Sequence, residues 1–234
     1  MQPLTCKSFA KLNLCLHILN RRNDGYHNLE SILCNVDFYD RLSFQKNNST
    51  KVNFNTNSNE IDSTYNLVTK AYDVISNLYD IKGVDIFLDK KIPVGSGLGG
   101  GSSNAAVTLL ALNDIFKLNI SKDNLMKISE DIGADVPFFI NGGAAYIGGK
   151  ADIVNNISVD KKYFVLILPN LKISTKDMYA SLSSKDFMTQ YSLDELMASN
   201  INSFEEIVMS KYPSLKETKY WLSAFGSVRM SGTG

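Results

Sequence analysis

The chain has 234 residues, 44% hydrophobic and 10% aromatic, which is enough for one large or two small domains around a buried core. Its 24 Lys and Arg balance its 24 Asp and Glu. Balanced charge argues against an extended nucleic-acid or anionic-membrane surface but is compatible with a small anionic ligand. We therefore expect a small-molecule partner, with no nucleic acid and no membrane.

Cys6, Cys15 and Cys34 lie near the N-terminus without the paired spacing of a metal site, so we interpret them as reduced thiols. The N-terminus lacks the apolar stretch of a signal peptide, and no apolar run approaches the ~18 residues that span a bilayer. The sequence thus predicts a cytoplasmic protein.

The N-terminal third predicts β-strands. Apolar residues alternate from Lys7 to Leu19 and place one face on the core, with Lys11, Asn13, Cys15 and His17 on the other. Asp24-Gly25 marks a turn. Further strands are predicted at 31–39, 41–45 and 51–55.

The middle of the chain adds helices. Apolar spacing predicts a helix over Asn66–Tyr79, a strand over Val84–Asp89, and a helix from a Ser121 cap to Ile132. Strands clustered early, followed by helices, indicate an α+β fold rather than a repeating βαβ arrangement.

A polar stretch near residues 155–162 predicts a boundary between a first domain, 1–155, and a second, 156–234. The apolar run Tyr163–Pro169 predicts the first strand of the second domain. Helices are predicted at 174–182, 193–198, 203–209 and 214–225.

The most informative part of the chain is the glycine segment, residues 93–101, which leads into an apolar helical pattern over 102–116. Glycine permits positive φ and close approach of a ligand to the backbone. The first turn of a helix offers unpaired N–H groups and the positive end of its dipole. Together these features predict a phosphate-binding site.

Other interpretations of this segment remain. Gly95–Gly100 satisfies G-x-G-x-x-G, the fingerprint of nicotinamide-dependent oxidoreductases, but the acidic residue expected about 20 residues later falls at the start of another helical pattern. No Lys-Ser or Lys-Thr follows, which argues against a P-loop. A connector without a ligand would carry the entropic cost of three consecutive glycines for no purpose.

The motif Pro93-x-x-x-Gly97-Leu98-Gly99-Gly100-Gly101-Ser102-Ser103-Asn104-Ala105-Ala106 resembles the phosphate-binding motif of the GHMP kinases. Segments at 10–14 with 22–31, at 133–139 and at 229–234 are similar to one branch of that superfamily. That branch phosphorylates the 2-hydroxyl of a cytidine-diphosphate-linked methylerythritol with ATP, in the non-mevalonate isoprenoid pathway. The resemblance implies a domain like domain 2 of ribosomal protein S5, a ferredoxin-like C-terminal domain, and an active site in the cleft between them.

The resemblance implies ATP and Mg²⁺ at the glycine segment. Because no P-loop lysine is present, main-chain N–H groups, serine hydroxyls and Mg²⁺ would hold the triphosphate. The protein ligands of Mg²⁺ are left open. The implied nucleotide-binding residues are Asn66, Leu67, Lys90, Pro93, Gly95, Gly97, Leu98, Gly99, Gly100, Gly101, Ser102 and Ser103.

Asp135, in a Gly-Ala-Asp-Val-Pro turn, is the candidate general base for the acceptor hydroxyl. Lys11 is suited to pair with it, keeping the carboxylate charged and bringing positive charge to the transferred phosphoryl group. From the residues alone, Asp135 could instead form a turn or cap a helix, and Lys11 could be a solvated strand residue. The resemblance favours the catalytic interpretation.

Tyr26 and His27 offer an aromatic face beside an imidazole, a combination that can stack on a base and hydrogen-bond its edge. The resemblance implies that they bind cytosine, with Asn13 and Thr175 also at the substrate. Without it, Tyr26 would be a partly buried tyrosine and His27 a surface histidine, and we interpret His17 as structural. Gly148–Asp152 departs from the Gly-x-Gly-Glu common in the family.

The last of these segments, 229–234, resembles the third motif of the superfamily and stops at Gly234. In the family the chain would continue for roughly 40 residues and complete the second sheet. We therefore expect a C-terminal segment missing from this sequence. Alternatives to the leading hypothesis are a homoserine-type or mevalonate-type kinase and a catalytically silent ligand sensor. Asp24–His27 argues against the first, and retention of Lys11 with Asp135 argues against the second. We expect a monomer or a weak homodimer.

Overall fold

The computed structural model describes residues 2–171 and 173–233. In this part of the chain the strands are β1 (Leu4–Arg21), β2 (His27–Lys46), β3 (Val52–Thr56), β4 (Val84–Asp89), β5 (Ala144–Gly148) and β6 (Ile153–Asn156). The helices are α1 (Leu67–Leu78), α2 (Gly100–Ile115), α3 (Lys122–Ser129), α4 (Val136–Asn141), α5 (Thr175–Ala180), α6 (Leu193–Ala198), α7 (Glu205–Lys211) and α8 (Pro213–Leu222).

The chain forms two compact units that alternate along the sequence. Unit 1 contains the described residues up to Lys11, Asn35–Val94 and Gly99–Gly142, and unit 2 contains Leu12–Cys34, Gly95–Leu98 and the described residues from Gly143 onward. The long strands β1 and β2 therefore contribute residues to both units. This division differs from a single boundary at residue 155, which stays a prediction.

Unit 1 combines a sheet with packed helices. Strand β4 pairs antiparallel with β2, with Leu88 opposite Leu42, and parallel with β3, with Ile86 opposite Phe54. Helix α2 packs against α1 and α4, and α3 packs against α4. The core is made by alternating strand residues and by helical apolar stripes, including Leu42, Phe44, Ile75, Ile86, Leu88, Leu109 and Leu112.

Unit 2 contains the first half of β2, paired antiparallel with β5, and β5 paired antiparallel with β6. The sequence predicted one buried face for β1, but Cys15 and His17 on the opposite face are buried as well. The cause is a covering segment: the Leu16 N–H donates to the Ile201 carbonyl, and Leu196 packs on Cys15. A pattern of alternation within one strand cannot reveal such a cover.

Several predicted elements are confirmed with shifted ends. Helix α1 begins one residue after its predicted start, with Asn66 as its cap, and α3 begins after a Ser121 cap, as expected. The two strands predicted at 31–39 and 41–45 are one continuous strand, β2. Helix α2 begins at Gly100, two residues before the predicted start, so part of the glycine segment lies inside the helix. Helices α5 to α8 fall within or next to their predicted ranges.

The strand predicted over Tyr163–Pro169 is wrong. These residues belong to no strand, and the side chains of Tyr163 and Val165 are 88% and 89% exposed. An extended apolar run becomes a stable strand only where a neighbouring strand completes its ladder of hydrogen bonds. No described residue pairs with this run in a sheet. None of the described helices combines the length and apolar character needed to span a bilayer.

Candidate active site

The glycine segment ends in a left-handed residue that starts α2. Gly99 is the N-cap of α2 with φ +69°. A Cβ atom built there would lie 2.8 Å from the Phe139 ring and 3.0 Å from Cγ of Lys11. Both the backbone conformation and the crowding therefore require glycine at this position.

The first turn of α2 presents main-chain donors. The Ser103 N–H donates to the Gly99 carbonyl, so the N–H groups of Gly100, Gly101 and Ser102 precede the first intrahelical hydrogen bond. A glycine N-cap has no side chain to satisfy them, and no acidic residue lies in the first turn. These donors and the helix dipole make the start of α2 suitable for an anion such as a phosphate.

Ser103, expected to contact the nucleotide, faces the interior instead. It is 1% exposed, and its hydroxyl accepts a hydrogen bond from the Ser8 hydroxyl at 2.8 Å. Its main-chain N–H is already used within the helix. Ser102 is half-buried, so of the two serines expected at the nucleotide it is the more accessible one.

Lys11 and Asp135 come together beside that same helix start. Nζ of Lys11 lies 3.9 Å from Oδ2 of Asp135, with side chains 8% and 37% exposed. The Lys11 stem would contact a Cβ at Gly99, and Gly133 lies beside the Ser102 hydroxyl. A carboxylate, a cation and a row of main-chain donors are therefore neighbours within unit 1.

The helix-capping interpretation of Asp135 is resolved by geometry. Asp135 occupies the N-cap position of α4, with proline in the first turn, but its side chain accepts no capping hydrogen bond. The turn that the sequence predicted is confirmed: the Val136 N–H donates to the Gly133 carbonyl at 3.0 Å, and this turn leads directly into α4. A carboxylate at this position that caps nothing is available to a ligand.

Lys90 makes a buried ion pair. Its ammonium lies 2.6 Å from Oδ2 of Asp40, with side chains 7% and 0% exposed. Burial lowers the pKa of Lys90, and the Asp40 carboxylate partly offsets that shift. A Cβ at Gly100 would lie 2.8 Å from the ammonium, so the pair lies against the first residue of α2.

Asn66 and Leu67, the other implied nucleotide contacts, begin α1. The Asn66 side chain accepts from the N–H groups of Val68 and Thr69 at 2.8 and 3.1 Å, so it is used as a helix cap. Leu67 Cδ1 would lie 3.4 Å from a Cβ at Gly101, which places it next to the glycine segment. Within that segment Leu98 is 3% exposed, and Gly95 and Gly97 have positive φ.

Unit 2 holds the expected cytosine-binding pair. Tyr26 is 63% exposed, whereas His27 is 8% exposed and its ring lies 5.3 Å from the Tyr179 ring at 34° and 6.0 Å from the Phe187 ring. Burial, with a smaller effect of nearby Arg21, lowers the pKa of His27. A neutral imidazole has one donor and one acceptor nitrogen, which suits the edge of a pyrimidine.

Asn13 and Thr175 both contact the C-terminal motif of the chain. The Asn13 side-chain amide donates to the Ser31 hydroxyl, and its main-chain N–H donates to the Ser231 hydroxyl, each at 2.9 Å. The Thr175 hydroxyl lies 3.0 Å from that of Thr233. Two of the four expected substrate residues, Asn13 and Thr175, are therefore joined to this C-terminal motif within unit 2.

Sequence reasoning missed three residues that shape these sites. Tyr179 and Phe187 pack on His27, but in the sequence they are two aromatics among many. Asp40 anchors Lys90, but it follows a run of strand residues with no motif around it. His17 is not one of these three: it is interpreted as structural from the sequence, and it is fully buried with contacts to Ser199 and Tyr191.

The fold and this site define a class of small-molecule kinase. A family model described as GHMP kinases N terminal domain matches residues 66–143, which include the glycine segment and Asp135. The α+β fold expected from the sequence is confirmed by a crystal structure of a 4-(cytidine 5'-diphospho)-2C-methyl-D-erythritol kinase. It superposes with a TM-score of 0.84 at 30% identity, covering 99% of this chain and 87% of that one.

The particular family follows from sequence. A 4-diphosphocytidyl-2-C-methyl-D-erythritol kinase of Francisella philomiragia is 38% identical over 232 residues, covering 97% of this chain and 84% of the relative. The chain belongs to this family of ATP-dependent GHMP kinases. A homoserine kinase from Cytophaga hutchinsonii is 18% identical with a TM-score of 0.57, a likeness of fold alone.

Proposed function

We propose that this chain transfers the γ-phosphoryl group of ATP to the 2-hydroxyl of 4-diphosphocytidyl-2-C-methyl-D-erythritol. The observation that carries the proposal is the Lys11–Asp135 pair beside the N-terminus of α2. Phosphoryl transfer needs a held triphosphate, a base for the acceptor hydroxyl and charge compensation. Main-chain donors, a carboxylate and a cation supply these three parts.

The three parts act as follows in this proposal. The N–H groups of Gly100–Ser102 and the dipole of α2 bind the phosphates. The Asp135 carboxylate accepts the proton of the attacking hydroxyl as the P–O bond forms in line with the leaving ADP. The Lys11 ammonium stabilises the negative charge on the transferred group and orients the carboxylate.

The cytidine end of the substrate is assigned to unit 2. Neutral His27 would hydrogen-bond the pyrimidine edge, and exposed Tyr26 would stack on the base. Asn13 and Thr175 offer further polar contacts to the substrate. This assignment separates the preferred acceptor from homoserine or mevalonate, because neither carries a base.

Mg²⁺ is part of the proposal, as the partner of ATP. Among residues 2–171 and 173–233, no group of three or more His, Cys, Asp or Glu side chains is arranged to hold a metal ion. We propose that phosphate oxygens and water supply most of the Mg²⁺ ligands, with the Ser102 hydroxyl as the protein contact. When bound, Mg²⁺ neutralises charge that develops on the phosphates.

We also propose that the protein acts in the cytoplasm as a monomer or weak homodimer. Its three cysteines are unpaired thiols, and burial raises the pKa of each one, that of Cys15 to about 11. Such thiols are protonated and unreactive at neutral pH.

A coupled assay of ADP release tests the proposal. Purified protein is given Mg²⁺, ATP and one acceptor at a time: the cytidine-linked methylerythritol, homoserine or mevalonate. We expect turnover with the first alone. Turnover with homoserine or mevalonate but not with the cytidine-linked acceptor would reject the proposed substrate. If none of the three acceptors supports ADP release, the kinase activity of this chain is rejected.

A further inference from the structure

Asp40 is a fully buried carboxylate that the proposed reaction does not use. It lies within β2 and is 0% exposed. Its Oδ1 accepts from the main-chain N–H groups of Lys91 at 2.7 Å and Ile92 at 2.8 Å. Its Oδ2 accepts from the Lys90 ammonium at 2.6 Å and from the Asn104 side-chain amide at 2.9 Å. Four donors therefore surround one carboxylate.

These donors flank the glycine segment in the chain. Lys90–Ile92 lead into it, and Asn104 lies in α2, just after it. One side chain thus ties the residues before the segment to the residues after it. A glycine-rich stretch has unusual conformational freedom, so fixing both of its ends reduces the entropy that ligand binding must remove.

The network continues to the start of α2. The Asn104 amide also donates to the Ser8 hydroxyl at 2.9 Å, and Ser8 donates to the Ser103 hydroxyl at 2.8 Å. All of these residues belong to unit 1. A buried polar network whose members are hydrogen-bonded holds its residues in one arrangement.

Lys90 compensates the charge of Asp40. Its ammonium lies against Gly100, the first residue of α2, where the proposed phosphates bind. Without Lys90, a bare carboxylate would remain buried near the helix start and would repel a nucleotide. Because Lys90 balances its charge, the Asp40 carboxylate can lie close to a site that binds phosphate.

We infer that Asp40 is a positioning residue for nucleotide binding: its carboxylate holds the glycine segment in its anion-binding form, and Lys90 cancels its charge. This inference deepens the proposed function and rests on ATP binding at the start of α2. Asp40 touches no reacting atom and acts through the segment that it holds.

Calorimetry of Mg-ATP binding and steady-state kinetics of the full chain test this role. Asp40→Asn keeps one oxygen for Lys91 and Ile92 but turns an amide donor towards Lys90 and Asn104. We expect the Kd for Mg-ATP to rise about tenfold in Asp40→Asn and at least as much in Lys90→Met. The KM for the cytidine-linked acceptor should change less than about twofold.

The double variant Asp40→Asn/Lys90→Met separates charge compensation from direct contact. Because the double variant leaves no net charge at these two positions, its Kd for Mg-ATP should fall below that of Lys90→Met and lie within about threefold of the Asp40→Asn value. Glu30→Gln is the matched control, since Glu30 is also 0% exposed and accepts from the Tyr191 N–H at 2.9 Å. It should lower the melting temperature and leave the Kd for Mg-ATP unchanged.

An unchanged Kd in folded Asp40→Asn, or equal rises in the constants for both substrates, would overturn the inference. If Asp40→Asn does not fold, Asn104→Ala removes one of the four donors to Asp40, together with the hydrogen bond to Ser8, and should still weaken Mg-ATP binding about threefold. An unchanged Kd in that variant would also overturn the inference. The wild-type protein separates this inference from the proposed function. Binding of Mg-ATP without transfer to the acceptor contradicts the function alone, whereas transfer with an unaffected Asp40→Asn contradicts the inference alone.

Discussion

Unit 1 contains two acid–lysine pairs with buried lysines that differ in their separation and in the burial and hydrogen bonding of the carboxylate. Asp40 and Lys90 lie 2.6 Å apart, both buried, and the carboxylate accepts four hydrogen bonds. Asp135 and Lys11 lie 3.9 Å apart, and the carboxylate is 37% exposed and caps no helix. The first carboxylate is fully used by the protein, whereas the second is held near a cation and left accessible.

The difference shows how one structural unit separates support from reaction. A carboxylate satisfied by four protein donors has little capacity to accept a substrate proton. A carboxylate oriented by one cation at its edge keeps that capacity. Both pairs lie against consecutive residues at the start of α2, Lys11 at Gly99 and Lys90 at Gly100.

The largest expected effect is on the accessible pair. Asp135→Asn removes the proposed base while keeping the size of the side chain, so kcat should fall about 10³-fold. The Kd for Mg-ATP and the melting temperature should stay near wild type, because the carboxylate makes no capping bond. Rapid-quench kinetics and calorimetry measure these values. Wild-type kcat in this variant would remove Asp135 from the mechanism.

The second prediction concerns stability, for which Asp40 should matter more than Asp135. Asp40→Ala leaves the Lys90 ammonium buried without its partner and should cost about 3 kcal/mol of unfolding free energy. Asp135→Ala removes a partly exposed pair and should cost less than about 1 kcal/mol. Urea denaturation of both variants makes the comparison. Equal losses would contradict the division between support and reaction.

The third prediction concerns the glycine between the two pairs. Gly99→Ala forces a side chain into positive φ and against Phe139 and Lys11, so Mg-ATP binding should weaken about tenfold. Gly142→Ala is the matched control in unit 1: its φ is +73°, but nothing lies within 4 Å of the added Cβ. It should share the loss of stability without the loss of affinity. Equal affinities would show that crowding at Gly99 does not matter.

The smallest expected effect is a pH dependence in unit 2. The pKa of His27 lies below its ordinary value of 6.5 because of burial, so the unfolded state binds the proton more readily. The stability from neutral His27 is therefore complete above about pH 6.5 and is lost as the pH falls below it. Melting temperatures of wild type and His27→Gln, compared from pH 8 to about 5.5, should converge at low pH. Parallel curves would contradict a titrating His27.

The sequence predicted the start of α2 well because its chemistry is local. Glycines before an apolar helical pattern specify both a helix start and bare main-chain donors, whatever surrounds them. The pairing of Lys11 with Asp135 joins distant parts of the chain, and it was expected from family resemblance rather than from spacing. The structure brings the two side chains to 3.9 Å.

Properties that depend on neighbours were beyond the sequence. The run at 163–169 has strand composition but lacks a pairing partner among the described residues. The second buried face of β1 depends on a segment near residue 201, far along the chain. Asp40 carried no signal, because a single acidic residue in a strand pattern is usually solvated. Its role is visible only from four donors gathered by the fold.

Single-turnover transfer at saturating Mg-ATP, measured in parallel for Asp135→Asn and Asp40→Asn, tests whether Asp135 acts in the reaction and Asp40 in nucleotide binding. We expect Asp135→Asn to bind Mg-ATP normally but to transfer phosphoryl about 10³-fold more slowly. We expect Asp40→Asn to need more Mg-ATP for saturation and then to transfer within about threefold of the wild-type rate. Slow transfer by saturated Asp40→Asn, together with fast transfer by Asp135→Asn, would contradict the assignment of the two pairs.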